Sequence, residues 1–419
     1  MTTNLQAVRG TRDILPDDCD RFRYINSVAY EQAKRYGFGE IMTPMFEFTD
    51  VFQRTLGDTS DIVNKEMYTF TDRGGDSLTL RPEGTAGIAR SFISEGMAQS
   101  IPVRLYYCGP MFRYERPQKG RYRQFHQIGV ECLGINSPIA DIECLALSRD
   151  ILFALNLGEK VQLELNTLGD LASRQIYREK LVDYFSKFKN DLSKDSQERL
   201  EKNPLRILDS KDEKDQKLFS DAPALADCLT DEARQFFDRV ELGLQQLGIT
   251  YIKNPRLVRG LDYYCHTVFE WTTNLLGAQS AVLAGGRYDG LIQSMGGPIT
   301  PGVGWASGLE RLSLLLDENA IKSANASKVA VIVAEDVAEP KALQLSHQLR
   351  QNGYQVEMPI SGNMGKKFKR ADKLNCKWAI ILGSNEINQK CLTIKNLSEG
   401  TQDTIPEDQL WQRFPVKIT

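Results

Sequence analysis

The sequence predicts an α+β protein: a large antiparallel-sheet domain with a helical insertion, followed by a small C-terminal α/β domain. Three observations predict it. Short strand-like runs up to about residue 310 are separated by helices without a regular βαβ rhythm, which favours an antiparallel sheet. From about 171 to 250 the apolar positions recur at helical spacing. Beyond the polar, small-residue stretch 315–328, strand and helix alternate one for one, as in a mainly parallel sheet. At 419 residues the chain exceeds what one core organises, and the expected domains are residues 1–325 and 326–419.

Residues 20–36 carry Phe22, Ile25 and Val28/Ala29 at helical spacing, and Gly37 is placed to stop that helix. A β-like run follows from Gly39 to Phe48, broken by Pro44. Strand character recurs at Leu78–Leu80, Arg104–Cys108, Gln124–Glu131 and Gln162–Asn166, and again at Arg256–Leu261, Val268–Thr272 and Ser280–Leu283. Within the insertion, Tyr177, Leu181, Phe185 and Phe188 follow one helical period, and Phe237, Val240, Leu244 and Leu247 another. The charged stretch 193–217 between them reads as solvent-exposed. In the last domain, strands are expected at 329–334, 354–359 and 377–383, with helices at 338–351 and 365–375.

Composition bounds the function. Hydrophobic residues at 41% and charged residues at 26% are ordinary for a globular protein, and the formal charge of −3 means that nucleic acid would have to meet a local basic patch. The N-terminal stretch does not read as a signal peptide, and runs such as Val329–Ala334 are too short to span a bilayer, so no membrane role is expected. Eight scattered cysteines without a Cys-x-x-Cys pair, beside three histidines, predict reduced cytoplasmic thiols and no metal ligands.

The common nucleotide motifs fail. Gly362–Lys367 lacks P-loop spacing and its hydroxyl, and residues 301–308 carry Ser307 where a dinucleotide fingerprint needs glycine. A different phosphate device stands at 111–131, where Arg113, Arg116, Lys119, Arg121 and Arg123 surround a Pro117/Gly120 turn between two strand-like runs. Arginines on rigid strands clamp phosphates bidentately and compensate charge developing on phosphorus. Phe125 offers a face for a base, and Glu115, Gln127 and Glu131 occupy strand-like positions where inert sheet would be apolar. A solvated basic hairpin is the bland alternative for the arginines taken alone.

The stretch FRYERPQKGRYRQFHQ resembles motif 2 of class II aminoacyl-tRNA synthetases in their histidine-specific form. The helix and strand ending at Pro44 resemble motif 1, GVGWASGLERL (302–312) resembles motif 3, and LVRGLDYYCHTVFEW (257–271) resembles a histidine-specific signature; TLRPEGTA and AGGRYDGL also match. The resemblance spans essentially the whole chain. It implies ATP-dependent activation of L-histidine to histidyl-adenylate and transfer to the 3′ end of its tRNA, with Mg²⁺ accompanying ATP and a homodimer assembled through motif 1. By resemblance, Arg113 would hold the α-phosphate, Glu115 the adenine amino group, and Arg121 and Arg311 the γ-phosphate, beside Phe125. Arg259 would face Arg113 across the reacting centre. Glu83, Gly84 and Thr85, with Gln127, would bind the α-amino group and orient the carboxylate; Glu131, Tyr263 and Tyr264 would line the imidazole pocket. Lys366, Lys367, Lys369, Arg370 and Lys373 fall on one expected helix, a solvated face by itself but an RNA grip in the anticodon-binding domain that the resemblance implies. Two departures follow the tyrosine pair: Cys265 and His266 stand where the family carries a small polar residue and then Arg. His266 is expected to face away from the pocket, and His126 to be structural. The rival family is the histidine-binding regulatory subunit of ATP phosphoribosyltransferase, which resembles the same core but lacks the last domain.

Overall fold

The computed structural model describes residues 5–56, 62–118, 120–210, 212–219, 221–258, 263–277, 280–317 and 328–415. The chain divides into two compact units, Met1–Leu316 and Asp317–Thr419. Lys119, Arg259 to Leu261 and most of the expected linker lie outside the described residues.

The first unit opens with helix α1 (Pro16–Arg35), which has Pro16 at its first position and acidic and basic residues at its opposite ends, in keeping with the helix dipole. It buries Phe22, Ile25, Ala29 and Ala33, and Gly37 at φ 78° ends it. The run that follows breaks at Pro44 as expected, into β1 (Gly39–Glu40) and β2 (Phe46–Phe48), which enter different sheets. Helix α2 (Thr49–Leu56) leads to β3 (Tyr68–Thr71), β4 (Ser77–Leu80) and helix α3 (Thr85–Ser94). Strands β2, β4 and β3, in that order, form a small sheet.

Two ten-residue strands, β5 (Val103–Phe112) and β6 (Gln124–Leu133), then pair antiparallel along their whole length. Helix α4 (Pro138–Ala154) follows, capped by Ser137, and then β7 (Gln162–Thr167). The insertion comprises α5 (Leu171–Ser186), α6 (Lys194–Lys202), α7 (Glu213–Lys217) and α8 (Asp231–Gln246). The charged stretch between α5 and α8 is not simply solvated. Leu200 and Ile207 are buried, and the Asp215 carboxylate accepts hydrogen bonds from the hydroxyls of Ser193, Ser196 and Ser210 at 2.6–2.7 Å. Buried polar groups survive when every lone pair is used.

The chain returns through β8 (Ile252–Lys253), β9 (Cys265–Thr272), β10 (Ala281–Arg287), α9 (Leu291–Ser294), β11 (Gly302–Gly308) and α10 (Leu309–Leu315). The strand expected from Arg256 is not formed at Arg256–Val258, which is turn and irregular backbone. The eight-stranded sheet runs β1-β5-β6-β11-β10-β9-β7-β8 and is antiparallel except at its two edge pairs. One apolar core joins α3 (Ile88, Phe92), the sheet (Tyr107, Met111, Val268) and the insertion (Tyr177, Leu181, Phe185), so the inserted helices share the core of the sheet.

In the second unit, β12 (Lys328–Val333), α11 (Glu339–Gln351), β13 (Gln355–Glu357), α12 (Met364–Lys373) and β14 (Trp378–Leu382) form the expected alternation. Strands β15 (Cys391–Asn396) and β16 (Gln402–Pro406) then add antiparallel to β14, so the sheet is mixed rather than mainly parallel. Of the α12 cations, Lys366, Lys369, Arg370 and Lys373 are exposed. Lys367 instead turns inward and donates to the Val333 carbonyl at 2.8 Å.

Candidate active site

The hairpin β5–β6, the start of α3, strands β10 and β11 and the first turn of α10 enclose a cavity of about 210 Å³. Its wall includes Glu83, Thr85, Arg113, Glu115, Arg121, Phe125, Gln127, Tyr263, Tyr264 and Arg311. Residues singled out from distant stretches of the sequence thus meet in one space. Gly84 lies just behind it at the head of α3, where a side chain would collide with the Tyr107 ring. Arg259 lies outside the described residues.

The cavity has a cationic end and a buried polar end. At the cationic end, Arg113 Nε donates to the Pro82 carbonyl at 2.8 Å, and its guanidinium stands 5.3 Å from the Phe125 ring centre. Glu115 lies 3.0 Å from Arg121 and 3.9 Å from Arg113. It sits in the loop beyond β5, not on a strand as its alternation with Gln127 and Glu131 had implied. Burial, and then the neighbouring Arg121 charge, push the Arg311 guanidinium below its ordinary range. Crowded, partly buried cations of this kind favour a polyanion between them.

At the other end, the Glu83 carboxylate accepts the Thr85 and Ala86 N–H groups at 2.7 Å each, capping α3. Burial raises its proton affinity, while those two bonds and Arg113 oppose the rise. Glu131 is 1% exposed. Its carboxylate accepts the Thr85 hydroxyl at 2.6 Å and the Tyr288 hydroxyl on its other oxygen. It therefore stands just behind the wall, with Thr85 and Tyr288 in front. Burial lifts its titration to about pH 8, against the two hydroxyl bonds that lower it. Gln127 presents a buried side-chain oxygen with no hydrogen-bond partner, an acceptor fit for a substrate N–H.

Sequence reasoning missed Tyr288 and Glu310. Tyr288 lies in the matched stretch AGGRYDGL, and a tyrosine directly after a double-glycine strand was the available signal. Glu310 accepts the His126 N–H at 3.0 Å and faces its Nδ1 at 3.1 Å, joining β6 to α10. His126 is accordingly a structural partner. His266 turns away from the cavity: its ring centre lies 4.5 Å from that of Phe236 on α8, and burial lowers its proton affinity.

An antiparallel sheet that carries arginines and buried carboxylates around one cavity has the architecture of the class II aminoacyl-tRNA synthetases. The family model described as histidyl-tRNA synthetase matches residues 10–312, and that described as an anticodon binding domain matches residues 328–416. The chain is 56% identical to the histidine–tRNA ligase of Rhodospirillum rubrum over 401 residues, 96% of each chain. It is 52% identical to that of Gluconobacter oxydans over 404 residues, 96% of this chain and 97% of the other. The solved structure of apo S. aureus histidyl-tRNA synthetase aligns with a TM-score of 0.80 at 37% identity, covering 98% of this chain and 100% of that one. The chain belongs to the histidyl-tRNA synthetase family.

Proposed function

We infer that this protein is a histidine–tRNA ligase, which activates L-histidine with ATP to histidyl-adenylate and transfers the acyl group to the 3′ end of its tRNA. The observation that carries this reading is the two-ended cavity, with guanidinium groups at one end and an unpaired acceptor beside buried carboxylates at the other. The reaction brings an anionic carboxylate onto a polyanionic phosphate. Its needs are charge compensation and alignment, not a general base, because the nucleophile is already ionised.

The proposed roles are those the resemblance implies, and the shared cavity supports them. Arg113, and Arg259 by resemblance, flank the α-phosphate; Arg121 and Arg311 take the γ-phosphate. Phe125 and Glu115 receive the adenine. Glu83, Gln127 and Thr85 hold the ammonium group, with Gly84 allowing α3 to start this close to Tyr107. Tyr263 and Tyr264 define the imidazole side, and Glu131 acts from behind them by orienting the Thr85 and Tyr288 hydroxyls. A site that matches polar groups in this way rejects isosteres that leave them unpaired. Mg²⁺ would accompany ATP, as the resemblance implies, and no step is assigned to it.

A homodimer is supported by the small sheet. Register aligns Phe48 and Phe70 on either side of Leu78, and Phe46, Phe48 and Phe70 are exposed beside Met42 and Met45. Helix α1, by contrast, directs its apolar face inward against its own protomer. The α12 cations in the second unit support contact with RNA backbone. Eight unpaired cysteines support a reducing, cytoplasmic setting, and no described helix is long and apolar enough to cross a membrane. The regulatory-subunit reading is disfavoured by the match of residues 328–416 to an anticodon binding domain. Amino-acid-dependent ATP–pyrophosphate exchange across all twenty amino acids tests the proposal. Exchange with histidine alone is expected; its absence, with the protein folded, overturns it.

A further inference from the structure

The segment that supplies Tyr263 and Tyr264 to the cavity is tied to the first turn of the insertion. Arg174, the fourth residue of α5, donates from Nη1 to the Tyr264 carbonyl at 2.9 Å. Two residues on, the His266 N–H donates to the Gly169 carbonyl at 2.8 Å, and its carbonyl accepts the Leu168 N–H at 2.7 Å. Gly169 adopts φ 65°, and a Cβ there would meet Ser173 Cβ at 2.5 Å, so only glycine lets α5 begin this close to the pair.

The far end of the insertion closes on the same point. Thr230, the N-cap of α8, donates its hydroxyl to Asp170 at 2.6 Å and its N–H to Ser173 Oγ at 2.9 Å. Phe236 of α8 lies 4.5 Å from the His266 ring and 5.0 Å from the Arg287 guanidinium, one residue before Tyr288. Both ends of the insertion therefore converge on residues 264–266. Arg113, Arg121 and Arg311 of the nucleotide end are carried elsewhere, by the β5–β6 hairpin and α10.

Building on the ligase reading, we propose that Arg174 is a positioning residue for amino-acid selection. Its bond to the Tyr264 carbonyl sets the tyrosine wall on the imidazole side, so a movement of the inserted helices is felt first at the amino-acid end of the cavity. A charged donor on a half-buried carbonyl is one of the stronger single interactions available to a protein.

The test is steady-state pyrophosphate exchange on the full chain, with KM measured for histidine and for ATP. Arg174→Ala should raise the histidine KM about tenfold and leave the ATP KM within about twofold. Arg174→Lys, which keeps a cationic donor, should return the histidine KM to within about threefold of the original, and it carries the comparison with the parent chain if the alanine variant does not fold. Arg178→Ala, one turn further along α5, should change neither constant. The proposal is overturned if both KM values of the folded Arg174 variant stay unchanged or rise together, if lysine fails to rescue, or if Arg178→Ala reproduces the effect. Loss of histidine-dependent exchange in the unmodified protein would instead sink the ligase reading itself, so the two failures are distinguishable.

Discussion

Glu131 illustrates how much a single residue depends on its surroundings. In the unfolded chain its proton leaves near pH 4.5, whereas burial retains it in the folded protein to about pH 8. Between those values the folded state binds a proton that the unfolded state has released, so this group's stabilising contribution declines as pH rises through the window. The ligand-free protein should therefore lose thermal stability between about pH 5 and pH 8, and Glu131→Gln should flatten that dependence; parallel melting curves for the two proteins would refute it. The arginines act on charge at the reacting centre. Arg113→Ala and Arg259→Ala should each lower exchange by about 10²–10³ with the fold retained, as for the loss of one preorganised donor. A circular dichroism spectrum beside the rate separates that outcome from unfolding, and rates within about twofold of the parent would remove the residue from the mechanism.

Among the elements, α1 turns its apolar face inward, whereas the small sheet leaves apolar side chains outward. Strand alternation in β2 places Glu47 inward, where it pairs with Arg90, and Phe46 and Phe48 outward. Phe46, Phe48 and Phe70, with Met42 and Met45, leave large apolar side chains exposed, and grouped exposed apolar side chains mark interaction surfaces. Phe48→Glu should convert a dimer to a monomer by placing a charge among those apolar side chains. Sedimentation of the unmodified protein as a monomer at micromolar concentration would contradict the assembly. The helix periodicity of residues 20–36 correctly marked one buried face, but periodicity does not say what that face is buried against; tertiary packing placed it inside the protomer.

At the scale of the whole molecule, the two units have separate apolar cores: Ile88, Phe92, Leu181 and their neighbours in the first, Val329, Val331, Leu345 and Ile380 in the second. All the proposed small-molecule contacts precede residue 312. Deleting residues 326–419 should therefore leave histidine-dependent exchange while tRNA charging falls. In the full chain, Lys366, Lys369 and Lys373 changed to Glu should weaken charging and reduce its salt dependence, by about one unit of slope for each phosphate that is no longer neutralised. Lys367 is better left unchanged, since it caps the end of β12. Normal charging by the triple variant at two salt concentrations would send the search for the RNA grip to the Arg116–Arg123 loop.

Sequence alone determined the α+β class, the place of the inserted helices and most of the residues around the cavity, because those depend on local periodicity, turn chemistry and short motifs. Gln127 was legible as a polar residue where inert sheet would be apolar, Arg113 and Arg121 as members of an arginine cluster around a turn, and Tyr264 and Arg311 only through the motifs that resemble the family's. The tertiary structure decided what depends on contacts between distant parts of the chain. Tyr288 meets Glu131 across 157 positions, and Glu310 meets His126 across 184. Arg174 reaches Tyr264 across 90 positions, and Asp215 is sheltered by serines that composition alone would have left in water. Burial and hydrogen-bond partners arise only when separate segments close on one another, so the proton affinity of Glu131, the unpaired oxygen of Gln127 and the bond between the insertion and the tyrosine wall could not be written into any local pattern.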